Sequence, residues 1–293
     1  MIQDRSFGSR LFSFFNYSLL LLLTVFCLLP LIHIVAVSFS ARIPSMGNLV
    51  GLWPIGFNTY NYERLLATPR FLMAFKISVG RTVMGTVLNL LIIVLTAYPL
   101  AAREWFPGKE PFKWYLVFAM LFSGGLIPWF LVMKELHLTN SFFGLVFPRM
   151  VDVWSVLIMI NYFRTLPQEY IEAAQMDGAT HWDILLKVFV PLALPMLAAL
   201  SLFQAVFYWN DYFDGLVLLN DSGLFPLQTY LQTTILSRQA TGAITNVDPG
   251  LLMRFSERAW RAAQIVVSAI PILVVYPFVQ RYFVTMRLGG IKG

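Results

Sequence analysis

Long apolar runs separated by short clusters of charge set the rhythm of this chain. A helix of about 20 apolar residues crosses the hydrocarbon core of a bilayer. Six nearly uncharged runs of that length are present, at residues 11–38, 72–102, 114–133, 142–163, 188–209 and 262–280. The first contains no Asp, Glu, Lys or Arg and is longer than the apolar part of a cleaved signal peptide, so it reads as a retained anchor. The fourth is interrupted by Arg149 and Asp152, whereas the fifth reaches Trp209 without a charge. The pattern predicts an all-α polytopic membrane protein, one transmembrane domain over residues 1–293, with six spans and both termini on the same side. Two long outer loops are expected, at residues 41–71 and 210–258. The first is punctuated by Trp53, Phe57, Tyr60 and Tyr62, and the second contains an amphipathic helix near residues 227–236 followed by a polar stretch through Thr245 and Pro249.

Charge is concentrated in residues 166–187, between the fourth and fifth runs, where Glu172, Asp177, Asp183 and Lys187 lie close together. Pro167 suits the first turn of a helix and Gly178 the left-handed conformation that ends one. Thr180 followed by Asp183 resembles a capping box, with Asp in the usual Glu position, so a second helix begins there. On that helix Trp182, Leu185, Leu186 and Phe189 fall at i, i+3, i+4 and i+7, one apolar stripe. The expected unit is a bent helical knuckle that projects from the bilayer and runs through Pro191 into the fifth span.

Composition narrows the class. Hydrophobic residues make up 58% and charged residues 12% of the chain, where a soluble domain carries roughly a quarter charged. The single cysteine, Cys27, lies within an apolar run, so neither a disulfide framework nor a cysteine metal site is expected. His33, His137 and His181 are too scattered for a metal site or a catalytic dyad, and no catalytic residue is nominated. The net charge of +6 fits basic loop ends facing anionic lipid rather than nucleic acid. Lys and Arg in the short segments, Arg5, Arg10, Arg103, Lys109, Lys113, Arg164, Lys187, Arg281, Arg287 and Lys292, place both termini and the knuckle in the cytoplasm.

The knuckle carries a family resemblance. Glu172, Ala173, Ala174, Asp177, Gly178 and Ala179, with Trp182, Pro191, Leu192 and Pro195 at their spacing, resemble the E-A-A-x-x-D-G-A loop of permease subunits in ABC importers. Leu185 stands where that family often has Phe. The resemblance implies that the knuckle is a coupling helix docking into a cytoplasmic ATPase. It also implies partners: a second homologous permease, a dimer of ABC ATPases, an external solute-binding protein and the lipid bilayer. Further stretches are similar to the carbohydrate, maltose-type branch: WND at residues 209–211, PLQTYL at 226–231, and a tail, RLGGIKG at 287–293, that in the family enters the ATPase interface. By the same resemblance the loop at 210–258 reaches into the binding protein. Residues 121–141 resemble the branch for oligosaccharides of complex polysaccharides such as alginate or aldouronate. The chain has no G-x-x-x-x-G-K-[ST] phosphate loop, so ATP and Mg are expected on partner subunits and no cofactor here. The alternatives are an ion-coupled secondary sugar transporter, for which Asp152 is the candidate carboxylate, and an ABC permease for another solute.

Polar residues within the spans are the substrate-pathway candidates: Asn89 and Tyr98, Asn161 and Tyr162, then Gln204, Tyr208, Trp209 and Asn210. Polar groups at such depth face protein or water, so helix-to-helix hydrogen bonding explains them equally well. Arg149 and Asp152, three apart, can pair with each other on one helix face. Alternatively, Arg149 with Lys76 and Arg81 draws the carboxylates of an acidic sugar.

Overall fold

The structure, a computed structural model, describes residues 7–101, 108–241 and 256–289, without the side chains of 235–241, 278, 279 and 281–289. Among the described residues every regular element is helical. In chain order they are α1 (Phe7–Ser38), α2 (Arg42–Met46), α3 (Tyr60–Leu66), α4 (Pro69–Ala101), α5 (Lys109–Leu121), α6 (Leu126–Glu135), α7 (Val153–Thr165), α8 (Glu169–Met176), α9 (His181–Leu192), α10 (Leu194–Asn210), α11 (Phe213–Leu218), α12 (Leu227–Thr241) and α13 (Glu257–Gly289). Short 3-10 turns at Phe143–Leu145 and Phe147–Arg149 lie between α6 and α7. The expected polar stretch with Thr245 and Pro249, the tail side chains at 287–293, and Arg5, Arg103 and Lys292 lie outside the description.

Helices α1, α4 and α13 are each long and apolar enough to cross a membrane, and three bent pairs raise the number to six. The third, fourth and fifth runs were expected to be continuous spans, and each instead contains a break. Helices α5 and α6 meet at 113°, where Gly125 adopts φ +83°, open to glycine at little cost. The turns at 143–149 meet α7 at 48°, because Pro148 has no N–H to continue a helix and Asp152 starts a new one as N-cap. Helices α9 and α10 meet at 77° around Ala193, between Pro191 and Pro195.

The chain forms two units. One comprises residues 1–69 and 242–271. There the end of α1 buries Ala36 and Val37 against Val50 and Ala262. Phe39 stacks between Phe57 and Tyr62, at 5.3 and 4.6 Å, and the Tyr62 hydroxyl meets Ser38 Oγ at 2.6 Å. Burial raises the Tyr62 pKa, against the opposing effect of that hydrogen bond. The remainder of α1 exposes Phe12, Leu21 and Phe26, the apolar surface of a helix long enough to cross a membrane.

The other unit comprises residues 70–241 and 272–293. Its core joins α4, α7, α9 and α10 through Ile93, Ala97, Met159, Phe163, Ile184 and Leu200. Gly85 of α4 lets the ring of Tyr208 of α10 approach closely: a Cβ there would lie 2.5 Å from Tyr208 Cζ.

Candidate functional site

The knuckle forms by local rules. Gln168 is the N-cap of α8, so Pro167 stands just outside the first turn. The helix ends at Asp177, and Gly178 follows at φ +78°, a conformation that strains any residue with a Cβ. Thr180 and Asp183 form the expected capping box: Thr180 Oγ1 accepts from the Asp183 amide and Asp183 Oδ2 from the Thr180 amide, both at 3.2 Å. Lys187 reaches Asp183 at 2.6 Å. That hydrogen bond, then those from Thr180, hold the exposed Asp183 carboxyl down at about 2.

The apolar stripe expected along the second helix does not form as one face. Leu185 and Phe189 are buried, whereas Trp182 and Leu186 are 64% and 59% exposed. The cause is a π-helical stretch at Ile184–Phe189, whose wider turns move the 3.6-residue register. Phe189 points inward, edge-on to Phe163 and Tyr98 with both centroids at 5.0 Å. The Tyr98 hydroxyl also stands 3.5 Å from His181 Nδ1. Tyr98 is therefore a contact of the knuckle, not one of a group with Arg149. Tyr170 and Met176 of α8 and Trp182 and Leu186 of α9 are exposed apolar residues of the knuckle.

The second site is the break in the fourth span. Non-helical backbone at membrane depth needs partners for its carbonyls, and side chains supply them. Arg81 Nε donates to Leu145 O at 2.9 Å, Tyr208 Oη to Val146 O at 3.2 Å, and Asn89 Nδ2 to Met150 O at 3.1 Å. Arg81 also donates from Nη1 to Asp211 O at 3.0 Å and from Nη2 to Asp211 Oδ2 at 2.5 Å. Asp214 Oδ2 lies 3.5 Å from Arg81, and both of these side chains are fully buried.

Arg149 and Asp152 do not pair with each other. The i, i+3 argument assumed a continuous helix, but Arg149 closes a 3-10 turn and Asp152 is extended at φ −99°, ψ 100°. Arg149 turns instead to Asp214, from Nε at 3.2 Å and Nη2 at 3.1 Å. Asp152 Oδ2 accepts from the Ser155 amide at 3.3 Å, from Ser155 Oγ, and from Gln204 Nε2 at 2.8 Å. Arg81 is likewise no free attractor for a carboxylate, because it is enclosed by its own partners.

Among the other nominated residues, Gln204, Tyr208 and Asn89 are buried in the contacts above, and Trp209 is buried edge-on to Phe75 at 5.7 Å. Tyr162 donates to Leu192 O at 3.2 Å. Asn161 and Asn210 are exposed. Sequence reasoning missed Asp214 as a site residue and noted Asp211 only within its motif. Charge balance was the available signal: Arg81 and Arg149 within spans require carboxylates, and these two lie just beyond the uncharged fifth run.

Arg149 borders two cavities. One, of ≈ 370 Å³, is lined by Arg149, Asp152, Trp154, Phe203, Gln204 and Phe207 among others. The other, of ≈ 640 Å³, is lined by Gly125, Trp129, Pro148, Arg149 and Phe213 among others.

Comparison with known proteins adds to this geometry. Residues 5–286 match the family model described as binding-protein-dependent transport system inner membrane component. The polygalacturonan/rhamnogalacturonan transport system permease protein YtcP of Bacillus subtilis is 37% identical over 287 residues, covering 97% of this chain and 99% of that protein. The arabinooligosaccharides transport system permease protein AraQ of Halalkalibacterium halodurans is 31% identical over 75% of this chain and 74% of its own. A chain in the crystal structure of a bacterial ABC transporter involved in the import of the acidic polysaccharide alginate superposes with TM-score 0.84 and 35% identity, covering 95% of this chain and 98% of that one.

Proposed function

Because the chain belongs to the binding-protein-dependent transport system inner membrane components, we propose that it carries acidic, uronate-containing oligosaccharides across the cytoplasmic membrane. It is a permease subunit of an ABC importer for oligosaccharides, an all-α membrane protein that works with a second permease, ATPase subunits and a solute-binding protein. The acidic class is supported by two of the similar proteins. Polygalacturonan and alginate, named for their transport systems, are both polymers of uronic acids.

The observation that carries the mechanism is the knuckle. Two helices joined at Gly178, the second opened by a capping box, leave Met176, Trp182 and Leu186 exposed, while Phe189 locks the second helix onto Tyr98 and Phe163. Such an element transmits force: a partner gripping these exposed residues moves α4, α7 and α10 together. Of the motif, Glu172, Ala173, Asp177 and Gly178 are exposed for the ATPase, while Ala174 and Ala179 pack behind them against the core. ATP and Mg are bound and turned over on those partner subunits, and this chain contributes no catalytic group. Both termini and the knuckle face the cytoplasm. The loop at 210–258 faces the binding protein, and the tail at 287–293 meets the ATPases. Closure of the ATPases then drives the spans between inward-open and outward-open forms. Asn89, Gln204, Tyr208 and Trp209 hold the frame of the pathway, while Asn161 and Asn210 remain open to its contents.

An ion-coupled carrier would need a membrane carboxylate free to bind and release its ion. Asp152, Asp211 and Asp214 are each engaged by donors of the chain itself. The test is uptake of labelled oligosaccharides into proteoliposomes holding the complete complex. ATP-dependent accumulation of oligouronates in preference to neutral oligosaccharides is expected. Accumulation of neutral sugars alone would overturn the acidic class.

A further inference from the structure

The two arginines at the broken span differ in what they leave unused. A guanidinium has five N–H donors. Arg81 is fully buried, and each of its three nitrogens donates to Leu145 or Asp211. Arg149 commits only its Nε and Nη2 edge to Asp214, its side chain is 43% exposed, and among the described residues its Nη1 donates to no group. A half-exposed cation within a span is too costly to face hydrocarbon, so it faces a water-filled cavity or a ligand. The cavity beside it also holds Asp152, whose side-chain hydrogen bonds among the described residues all go to Oδ2, so that Oδ1 is left as an acceptor. Trp154, Phe203 and Phe207 supply the apolar wall. Trp154 and Phe203 stand edge-to-face at 6.2 Å, and the Arg149 guanidinium is held 5.6 Å over Phe207.

We propose that this cavity is a subsite for one uronate residue of the substrate, with the free edge of Arg149 on the sugar carboxylate, Asp152 Oδ1 accepting from a ring hydroxyl, and the sugar face against the aromatic wall. An apolar cavity with a few convergent polar groups is the usual form of a small-ligand site. The planar fork of Arg suits a carboxylate better than an ammonium does. The fixed pair with Asp214 holds the guanidinium in one orientation, so little side-chain freedom is lost on binding. Arg81, one shell further in, anchors Asp214 and so positions Arg149 without touching sugar. The inference rests on the acidic substrate class proposed above and assigns that recognition to this chain.

The test is direct binding of a tri-uronate and of its neutral methyl ester to the purified complex without binding protein, by calorimetry. For Arg149→Gln, affinity for the acid is expected to fall about 10- to 100-fold, the range for losing a charged hydrogen bond, with the methyl ester unchanged. Arg149→Lys, which keeps the charge facing Asp214, should lie between wild type and Arg149→Gln for the acid. If Arg149→Gln does not assemble, Arg149→Lys alone carries the comparison and must weaken the acid more than the ester. Equal weakening of acid and ester, or no change in either, overturns the subsite. Absence of acid binding to the wild-type complex also overturns it, while ATP-driven uptake of oligouronate by the full system would leave the substrate class standing.

Discussion

The knuckle and the ion cluster of the broken span both depend on charged residues in a chain that has few, and they are held in opposite ways. In the knuckle the partners are three or four residues apart: Thr180 with Asp183, and Asp183 with Lys187. In the broken span, Arg81 reaches 130 residues to Asp211 and Arg149 reaches 65 to Asp214. The first set is exposed to water and sets a turn. In the second, Arg81 and Asp214 are completely enclosed and only Arg149 keeps a half-exposed edge. Charge at the surface therefore shapes this protein locally, whereas charge in the interior ties its helices together and determines which edge of a guanidinium stays free.

That contrast can be broken first at Arg81. Arg81→Met should lower the stability of the purified protein by about 3–5 kcal/mol, because Asp211 and Asp214 would lose a buried partner. Thermal unfolding in detergent measures it, and a loss no larger than that of a surface lysine would refute the buried-anchor role. Next comes the close approach of α4 and α10. Gly85→Val should cost about 1–3 kcal/mol by overpacking against Tyr208, in the same unfolding assay, while Gly85→Ala should cost less.

On the knuckle the effects are smaller for stability and larger for function. A Cβ at Gly178 would meet no atom within 4 Å, so Gly178→Val is opposed by backbone strain alone, about 1–2 kcal/mol. Global stability should therefore fall by no more than that strain, while substrate-stimulated ATPase activity of the complex falls sharply. Equal loss of both would make the knuckle a general stability element. The smallest effect concerns pH. The Asp183 carboxyl is depressed to about 2 from an ordinary 3.8, so its bonds to Thr180 and Lys187 favour the native turn above pH 3.8 and are lost as pH falls through about 2. Amide exchange at residues 180–184, corrected for intrinsic rates, should stay protected at pH 4. Deprotection already at that pH would contradict the cap.

The same contrast explains how much of the molecule was legible in its sequence. The spans follow from apolar length, and the turn at Gly178 and the cap at Thr180 follow from residue types at fixed short spacings. The π-helical stretch at Ile184–Phe189 was not legible, because period counting assumes 3.6 residues per turn, and so Trp182 and Leu186 were placed on one apolar stripe with Leu185 and Phe189. Arg149 and Asp152 were paired on the assumption of an unbroken helix, although Pro148 between the apolar residues already argued against one. The partners of Arg81 and Arg149 depend on which helices pack together, and spacing along one chain does not encode that directly. Tyr98 and Gln204 show the same limit: polarity within a span marked them as important, but only tertiary packing separates a knuckle contact from a bond to Asp152.

The central claim is that the knuckle is the lever by which ATP hydrolysis on other subunits moves this chain. Its most direct test is a cross-link from Met176, which is 89% exposed, after Met176→Cys in a chain whose only native cysteine, Cys27, has been replaced by Ser. In inside-out membrane vesicles a short bis-maleimide should join it to one protein, identified by mass spectrometry as the nucleotide-binding subunit, and bound ATP should change the yield. Labelling of Met176→Cys only from the outer face, or cross-linking to the solute-binding protein in place of an ATPase, would contradict the account.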